Sequence, residues 1–161
     1  MVDNKFKIYL DTSIISAYFD YKKPIRQLIT EKWIENESSN YDIYISTLVL
    51  NEINNNIDDI LKVKMFDLVN GLSVTVLEIN DDINKLADSY RNEILSNEVN
   101  DTLHIAAASY YKINAIISWN FRHIVNLTTI EKIHKINLKN NYPILEIISI
   151  ENIGGYKYGN I

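Results

Sequence analysis

The sequence contains no cysteine, only two prolines and four glycines, and no long apolar run. Without cysteine there is no disulfide framework and no thiolate metal site, which excludes zinc ribbons and redox dithiols. Any metal ion must be held by oxygen or imidazole. No apolar stretch approaches the ~20 residues that cross a bilayer, and the first residues lack the pattern of a secretory signal. We therefore expect a soluble, cytoplasmic protein that has no membrane partner.

Positive charge is also scarce, because 16 Lys and Arg residues stand against 21 Asp and Glu residues. The resulting net charge of −5 disfavours a protein that binds polyanions through its overall charge. One basic segment, residues 122–139, nevertheless holds four basic residues and a single acidic one. The basic residues are Arg122, Lys132, Lys135 and Lys139. These four are candidate phosphate contacts, and a solvated surface explains them equally well.

The distribution of apolar residues predicts one α/β domain. The 161 residues, 47% of them hydrophobic, are enough to bury a core. Short alternating or unbroken apolar segments predict strands at 6–10, 43–45, 74–79, 115–117 and 144–148. Strands that alternate with helices predict a three-layer α/β/α sandwich with a mostly parallel central sheet. We treat residues 1–161 as a single domain in which 149–161 form a C-terminal tail.

Helix starts are predicted where a capping residue or proline precedes helical periodicity. The predicted starts are Pro24, Ser46 or Thr47, Asp58, Asn80 and Asp101. A short helix is predicted at 130–136. His104, in the helix that Asp101 opens, is expected to pack against the sheet or to hydrogen-bond locally.

Four polar residues are predicted to meet at one edge of the sheet. Asp11 ends the first strand and Asn120 follows the strand at 115–117. Glu52 and Asp101 lie near the starts of helices that are entered from the same edge. Ligand sites of parallel sheets lie beyond the carboxyl ends of the strands. This edge is therefore the candidate functional site.

The acidic residues of this edge favour a hard metal ion. Asp11, Glu52 and Asp101 would repel one another unless a cation neutralised them, and carboxylate oxygens suit Mg²⁺ or Mn²⁺. Such a site can activate water and bind a scissile phosphate, which is the chemistry of a metal-dependent nuclease. Each residue also has a plain structural explanation, as a helix-start charge, a surface residue or a turn former.

Four segments occur in the order seen in PIN domains, and the chain resembles that family from Phe6 to about Ile148. The segments are YLDTS at 9–13, STLVLNEI at 46–53, NDTLHIA at 100–106 and SWNF at 118–121. The resemblance implies the PIN fold and a divalent-metal-dependent endoribonuclease that uses Mg²⁺ or Mn²⁺, as in VapC-like toxins of toxin–antitoxin pairs. It also implies an RNA substrate, a small antitoxin protein as partner and a homodimer, with the four basic residues named above contacting RNA.

The resemblance also assigns roles to individual residues. Asp11, Glu52 and Asp101 match the first three acidic positions of the family and are its expected catalytic metal ligands. Ser13 matches a small polar residue after the first acid, and Ser118 matches the Ser or Thr before the fourth acid, so both are expected to support the site. The fourth acidic position holds an amide here, Asn120, which we expect to orient the attacking water or a ligand.

Two other functions remain open at this point. The loss of one carboxylate at Asn120 weakens the hold on a second cation, so a catalytically degenerate PIN-like module that binds RNA or protein is an alternative. An aspartyl-phosphate enzyme would also place an Asp after its first strand. That chemistry is disfavoured because a second Asp is needed two residues later, where this chain has Ser13.

Overall fold

The computed structural model describes residues 4–94 and 98–153. Within these residues five strands form one sheet in which every pair is parallel. The strands are β1 (Phe6–Leu10), β2 (Tyr41–Ser46), β3 (Thr75–Leu77), β4 (Ala115–Ile117) and β5 (Glu146–Ile148). Their order across the sheet is β3-β2-β1-β4-β5. The predicted parallel sheet is confirmed, although β3 and β5 are shorter than the apolar segments that predicted them.

Seven α-helices connect the strands in the described part of the chain. They are α1 (Thr12–Ala17), α2 (Pro24–Asn36), α3 (Thr47–Asn54), α4 (Asp59–Gly71), α5 (Asp81–Ile94), α6 (Val99–Tyr110) and α7 (Leu127–Lys139). Helices α1 to α4 contact one another, and α5 contacts both α6 and α7. Because crossovers between parallel strands are right-handed, the two groups cover opposite faces of the sheet. The chain therefore forms the predicted α/β/α sandwich.

The helix starts follow local hydrogen bonding. Asp58 caps α4 by accepting hydrogen bonds from two backbone N–H groups of the first turn. The predicted α7 was too short, because the helix begins at Leu127, three residues before the predicted start, where Asn126 caps it by accepting from Thr129 N at 2.9 Å. Helix α6 starts at Val99, so Asp101 lies in its first turn instead of opening it.

The core explains why the central strands are mainly apolar. Strands β1 and β4 lie in the middle of the sheet, where helices cover both faces, and Ala115–Ile117 is fully buried. Ile150 and Ile153 are also buried in this core. The rest of the predicted tail, 154–161, lies outside the described residues, and the single-domain boundary remains a prediction. No helix in the described residues is long and apolar enough to cross a membrane.

The strand order places a crevice between β1 and β4. The chain runs from β1 to β2 and β3 on one side, then returns to lay β4 and β5 on the other side. Such a reversal opens a crevice at the carboxyl edge of the sheet, where α/β folds bind ligands. Leu10 pairs with Ile117 at this edge, so the next residues of the two strands, Asp11 and Ser118, face the crevice together.

Candidate active site

Asp11 is the buried centre of the site. It caps α1, and its side chain is only 4% exposed. Its Oδ1 accepts hydrogen bonds from Ser13 Oγ at 2.5 Å and Ser13 N at 3.1 Å, and its Oδ2 accepts from Ser118 Oγ at 2.5 Å. The two serines expected to support the site therefore contact the carboxylate of Asp11 directly.

The same serines fix the turn that follows β4. Ser13 Oγ accepts a hydrogen bond from Trp119 N at 2.9 Å, and Ser118 Oγ accepts one from Asn120 N at 2.9 Å. Each hydroxyl thus donates its proton to Asp11 while it accepts from a backbone N–H group. This arrangement ties the turn that carries Asn120 to the end of β1.

Glu52 projects from α3 toward helix α6. Its Oε1 accepts hydrogen bonds from Thr12 Oγ1 at 2.9 Å and from His104 Nε2 at 2.6 Å. Its Oε2 accepts a long hydrogen bond of 3.4 Å from Asn100 Nδ2. Burial alone would raise the pKa of Glu52, but the hydrogen bonds and charge of His104, together with Thr12, outweigh burial and lower it. Glu52 is therefore held in its ionised form.

The pKa values of Asp11 and Asp101 are shifted in the opposite direction from that of Glu52. Burial raises the pKa of Asp11, and it also raises the pKa of Asp101, which is half-buried in the first turn of α6. Nearby histidines oppose the shift at Asp101, whereas the negative charge of Asp11 adds to it. The negative charge of Asp11 thus disfavours the ionisation of Asp101, and a cation between them would relieve that cost.

Asn120 belongs both to the site and to the turn. Its Nδ2 donates to Asp101 Oδ2 at 3.1 Å, and its Oδ1 accepts from His123 N at 3.0 Å. A backbone N–H group can only donate, so Oδ1 must face His123 and the amide NH₂ must face Asp101. Asn120 therefore acts here as a hydrogen-bond donor to a carboxylate.

Several residues that contact the acidic side chains were missed or underestimated in the sequence. His104 is buried, as expected, and its ring lies 5.7 Å from that of Tyr9. It also bonds to Glu52, which is distant in sequence, so its expected role as a locally bonded residue was incomplete. One signal was present: His104 lies three residues after Asp101, and this spacing places both on one face of α6. Thr12, beside Asp11, was not singled out.

The predicted RNA contacts are spread along the fold. Arg122 is exposed in the turn two residues after Asn120. Helix α7 starts near that turn and runs back toward the amino edge, so Lys139 lies roughly 18 Å along the helix from its first residue. Lys132 Nζ donates to Glu93 O at 2.9 Å. Of the four basic residues, Arg122 is the one next to the acidic site, and RNA binding by the three lysines stays a prediction.

The donor set fits a hard divalent ion held by few carboxylates. In residues 4–94 and 98–153, no group of three or more His, Asp or Glu side chains is arranged to hold a metal ion. Mg²⁺ keeps several waters and needs only one or two carboxylates, which Asp11 and Asp101 can supply. Among the described residues, Glu52 Oε2 receives only the 3.4 Å hydrogen bond from Asn100 Nδ2.

Comparison with known proteins identifies relatives of the fold. Two solved structures resemble the chain at 16% identity, a level at which the likeness concerns the fold. VapBC2 from Rickettsia felis, bound to a DNA fragment from its promoter, has a TM-score of 0.53 and covers 88% of this chain and 98% of its own. VapC20 from Mycobacterium tuberculosis, a toxin that cleaves the sarcin-ricin loop, has a TM-score of 0.57, with 71% and 91% covered.

No curated protein sequence matches the chain. The PIN domain family model, however, matches residues 8–124. That span holds the end of β1 with Asp11, the helices that carry Glu52 and Asp101, and the turn at Asn120. The chain therefore belongs to the PIN domain family.

Proposed function

We propose that this protein is a divalent-metal-dependent endoribonuclease that hydrolyses RNA phosphodiester bonds, and that it is the toxin of a toxin–antitoxin pair. The observation that carries the proposal is the pair of carboxylates, Asp11 and Asp101, whose pKa values are raised by burial at the carboxyl edge of a PIN fold. Burying two like charges at one edge of the sheet is costly, and a bound cation would offset that cost.

Asp11 and Asp101 would hold Mg²⁺ or Mn²⁺, and Glu52 would accept a proton from water at that site. When bound, the cation supplies a water of lowered pKa and positive charge for the scissile phosphate. The protein's own contribution is positional. Ser13 and Ser118 fix both oxygens of Asp11, and the Asn120 amide orients Asp101 by donating to its Oδ2.

The test of this proposal is cleavage of a labelled RNA by the purified protein in Mn²⁺ and in EDTA. We expect cleavage in Mn²⁺, no cleavage in EDTA and recovery when excess Mn²⁺ is added. Expression in a bacterial host should also arrest growth. Cleavage that proceeds equally well in EDTA would contradict metal dependence, and intact RNA at saturating Mn²⁺ would contradict the assignment as a nuclease.

A catalytically silent binding module is the second candidate, and the geometry of Asn120 favours it. The amide oxygen that would replace the family's fourth carboxylate already accepts a hydrogen bond from His123 N. A second cation therefore has less to bind here than in a site with four acids. This candidate predicts that the wild-type protein binds RNA and leaves it uncut at saturating Mn²⁺.

An exposed apolar patch beside the site supports a protein partner. Ile25 and Leu28 of α2 and Phe121 of the turn are exposed, by 76% for Ile25. They lie near a pocket of about 320 Å³ that includes Trp119 in its lining, and Arg26 stacks over the Trp119 ring at 5.0 Å. Such a patch suits an apolar segment of an antitoxin. The test is inhibition of cleavage by the product of a small neighbouring gene, which Ile25→Glu should relieve.

A second copy of the chain is also a proposed partner. The homodimer remains an expectation from the family resemblance. Sedimentation equilibrium of the purified protein tests it, because a mass of one 18.7 kDa chain at all accessible concentrations would exclude a stable dimer.

The salt dependence of RNA binding should identify the residues that contact phosphates. In an Asp11→Asn background, which prevents cleavage, Arg122→Ala is expected to weaken binding and to lower the slope of log affinity against log salt by about 0.7. Replacing Lys132, Lys135 and Lys139 together should flatten the slope if RNA follows α7.

Lys5→Ala is the matched control, because Lys5 precedes β1 at the opposite edge of the sheet and bonds to Ser39 O. Its salt slope should equal that of the parent. If none of these substitutions changes the salt slope, the basic segment is ordinary solvated surface.

A further inference from the structure

A buried chain of hydrogen bonds connects Glu52 to the interior of the fold. His104 Nε2 lies 2.6 Å from Glu52 Oε1, and His104 Nδ1 lies 2.7 Å from Tyr9 Oη. Tyr9 Oη in turn lies 2.7 Å from Ser46 Oγ. The chain joins α3, α6, β1 and the end of β2, and the exposed fraction of His104 is 3%. Both ring nitrogens of a buried imidazole are thus used by polar partners.

The protons of this chain can be placed from the chemistry of its ends. An ionised carboxylate only accepts hydrogen bonds, so His104 Nε2 must carry a proton and donate it to Glu52. At the other end, Tyr9 either donates to Nδ1 and accepts from Ser46, or accepts from Nδ1 and donates to Ser46. In the first arrangement every donor of the chain has an acceptor within it, whereas in the second both ring nitrogens carry a proton and the Ser46 hydroxyl has no acceptor within the chain. In each of them Nε2 donates to Oε1, so the contact with Glu52 does not depend on which arrangement is present.

The two carboxylate oxygens of Glu52 therefore differ in their hydrogen bonding. Oε1 receives two short hydrogen bonds, from His104 and Thr12, whose donors come from opposite sides of the sheet. Oε2 receives only the 3.4 Å contact from Asn100 within the described residues. Two donors on one oxygen fix the rotation of a carboxylate and direct the other oxygen outward.

We propose that His104 is a positioning residue of this site: together with Thr12 it holds Glu52 Oε1, and it thereby makes Oε2 the oxygen that Glu52 presents to water bound at the cation site. The metal-binding part of this inference rests on the proposed function. The hydrogen bond from His104 does not, so the two can fail separately. A histidine with a purely structural role would only need to fill its space beside Tyr9.

Three substitutions separate these roles, because amide side chains imitate the two ring nitrogens individually. His104→Gln places an amide NH₂ near the position of Nε2 and can still donate to Glu52. His104→Asn reaches only as far as Nδ1 and loses that donor, and His104→Phe keeps the ring without either nitrogen. Tyr9→Phe is the matched control for the hydrogen bond between Tyr9 and His104 Nδ1, since it leaves Nε2 in contact with Glu52.

The readout is Mn²⁺ affinity, measured from free Mn²⁺ by electron paramagnetic resonance, beside a melting curve for each variant. We expect His104→Phe and His104→Asn to weaken Mn²⁺ binding roughly tenfold or more, as losses of the outer hydrogen-bond partners of a metal site do. His104→Gln and Tyr9→Phe should stay close to the wild type, even where their melting temperatures fall. If Gln and Asn weaken Mn²⁺ binding equally, or if affinity follows melting temperature alone, His104 is structural and the inference is overturned.

A metal-free measurement separates this inference from the proposed function. In the wild-type protein the His104 Nε2–H proton should give a downfield resonance protected from exchange, and Glu52→Gln should move it upfield because a neutral acceptor binds the proton less strongly. If Glu52→Gln leaves the chemical shift of this resonance unchanged, the inference is overturned, whether or not the protein cleaves RNA. A wild-type protein that shows the shift and binds no Mn²⁺ overturns the role of Oε2 at the cation site together with the proposed function.

Discussion

Asp11→Asn is expected to reduce RNA cleavage by roughly a thousandfold or more while the protein remains folded. The substitution removes the charge that would hold the cation, and it keeps an oxygen that can accept from Ser13 N and cap α1. Burial raises the pKa of Asp11, so its ionised form costs stability in the metal-free protein. The variant should therefore melt at the same or a slightly higher temperature in EDTA. Glu52→Gln and Asp101→Asn are expected to abolish cleavage in the same way.

The pH dependence gives this prediction a second check. A carboxyl group whose pKa is raised by folding binds more protons in the folded state than in the unfolded state. Its ionised form therefore lowers the free energy of unfolding by the full amount above the folded pKa, and this loss disappears as the pH falls toward 3.8, the ordinary pKa of Asp. The stability advantage of Asp11→Asn in EDTA should accordingly shrink on acidification. Asp42→Asn is the matched control, since Asp42 lies near the amino end of β2, and it should cleave normally. Near-normal cleavage by Asp11→Asn would remove Asp11 from the reaction.

Asn120→Asp is expected to lower the Mn²⁺ concentration for half-maximal cleavage by about tenfold, which corresponds to about 1.4 kcal/mol. One oxygen of the new carboxylate can keep the hydrogen bond from His123 N. The other would replace the NH₂ group that now lies 3.1 Å from Asp101 Oδ2. Two carboxylate oxygens at that separation repel each other, so the variant should melt below the wild type in EDTA and regain stability in Mn²⁺. Maximal rate should change little.

Asn114→Asp adds the same charge at the opposite edge of the sheet, where Asn114 Oδ1 accepts from Lys7 N, and serves as the control. Its Mn²⁺ midpoint should equal that of the wild type. If the wild-type protein is inactive at saturating Mn²⁺ while Asn120→Asp is active, the wild-type protein is a degenerate nuclease. Identical midpoints for Asn120→Asp and the wild type would contradict a role for Asn120 in the site.

The parts of the fold that were predictable depend on local chemistry. Buried strands such as Ala115–Ile117 are unbroken apolar runs because helices cover both faces, and helix starts such as Asp58 carry their own cap. The parallel order then follows from the alternation of strands and helices. Helix α7 was predicted too short because Asn126 in a polar turn is indistinguishable from an ordinary turn residue until its contact with Thr129 N is known.

Which polar residues meet at this edge of the sheet was predictable, and the hydrogen bonds among them were not. Strand ends and helix starts were sufficient to bring Asp11, Glu52, Asp101 and Asn120 to one edge. The direction of the Asn120 amide depends on a backbone N–H three residues later, and the bond from His104 to Glu52 depends on how α3 and α6 pack. Neither dependence leaves a periodic pattern in the sequence, because each is set by the rotation of a side chain.

Asp11 and Asp101 are proposed to form one divalent-cation site, and Mn²⁺ binding measured by titration calorimetry without RNA tests that claim most directly. We predict saturable binding by the wild type and by Asp42→Asn, and loss of that binding in Asp11→Asn and in Asp101→Asn. Unchanged Mn²⁺ affinity in both single-site variants, or no binding by the wild type, would contradict it.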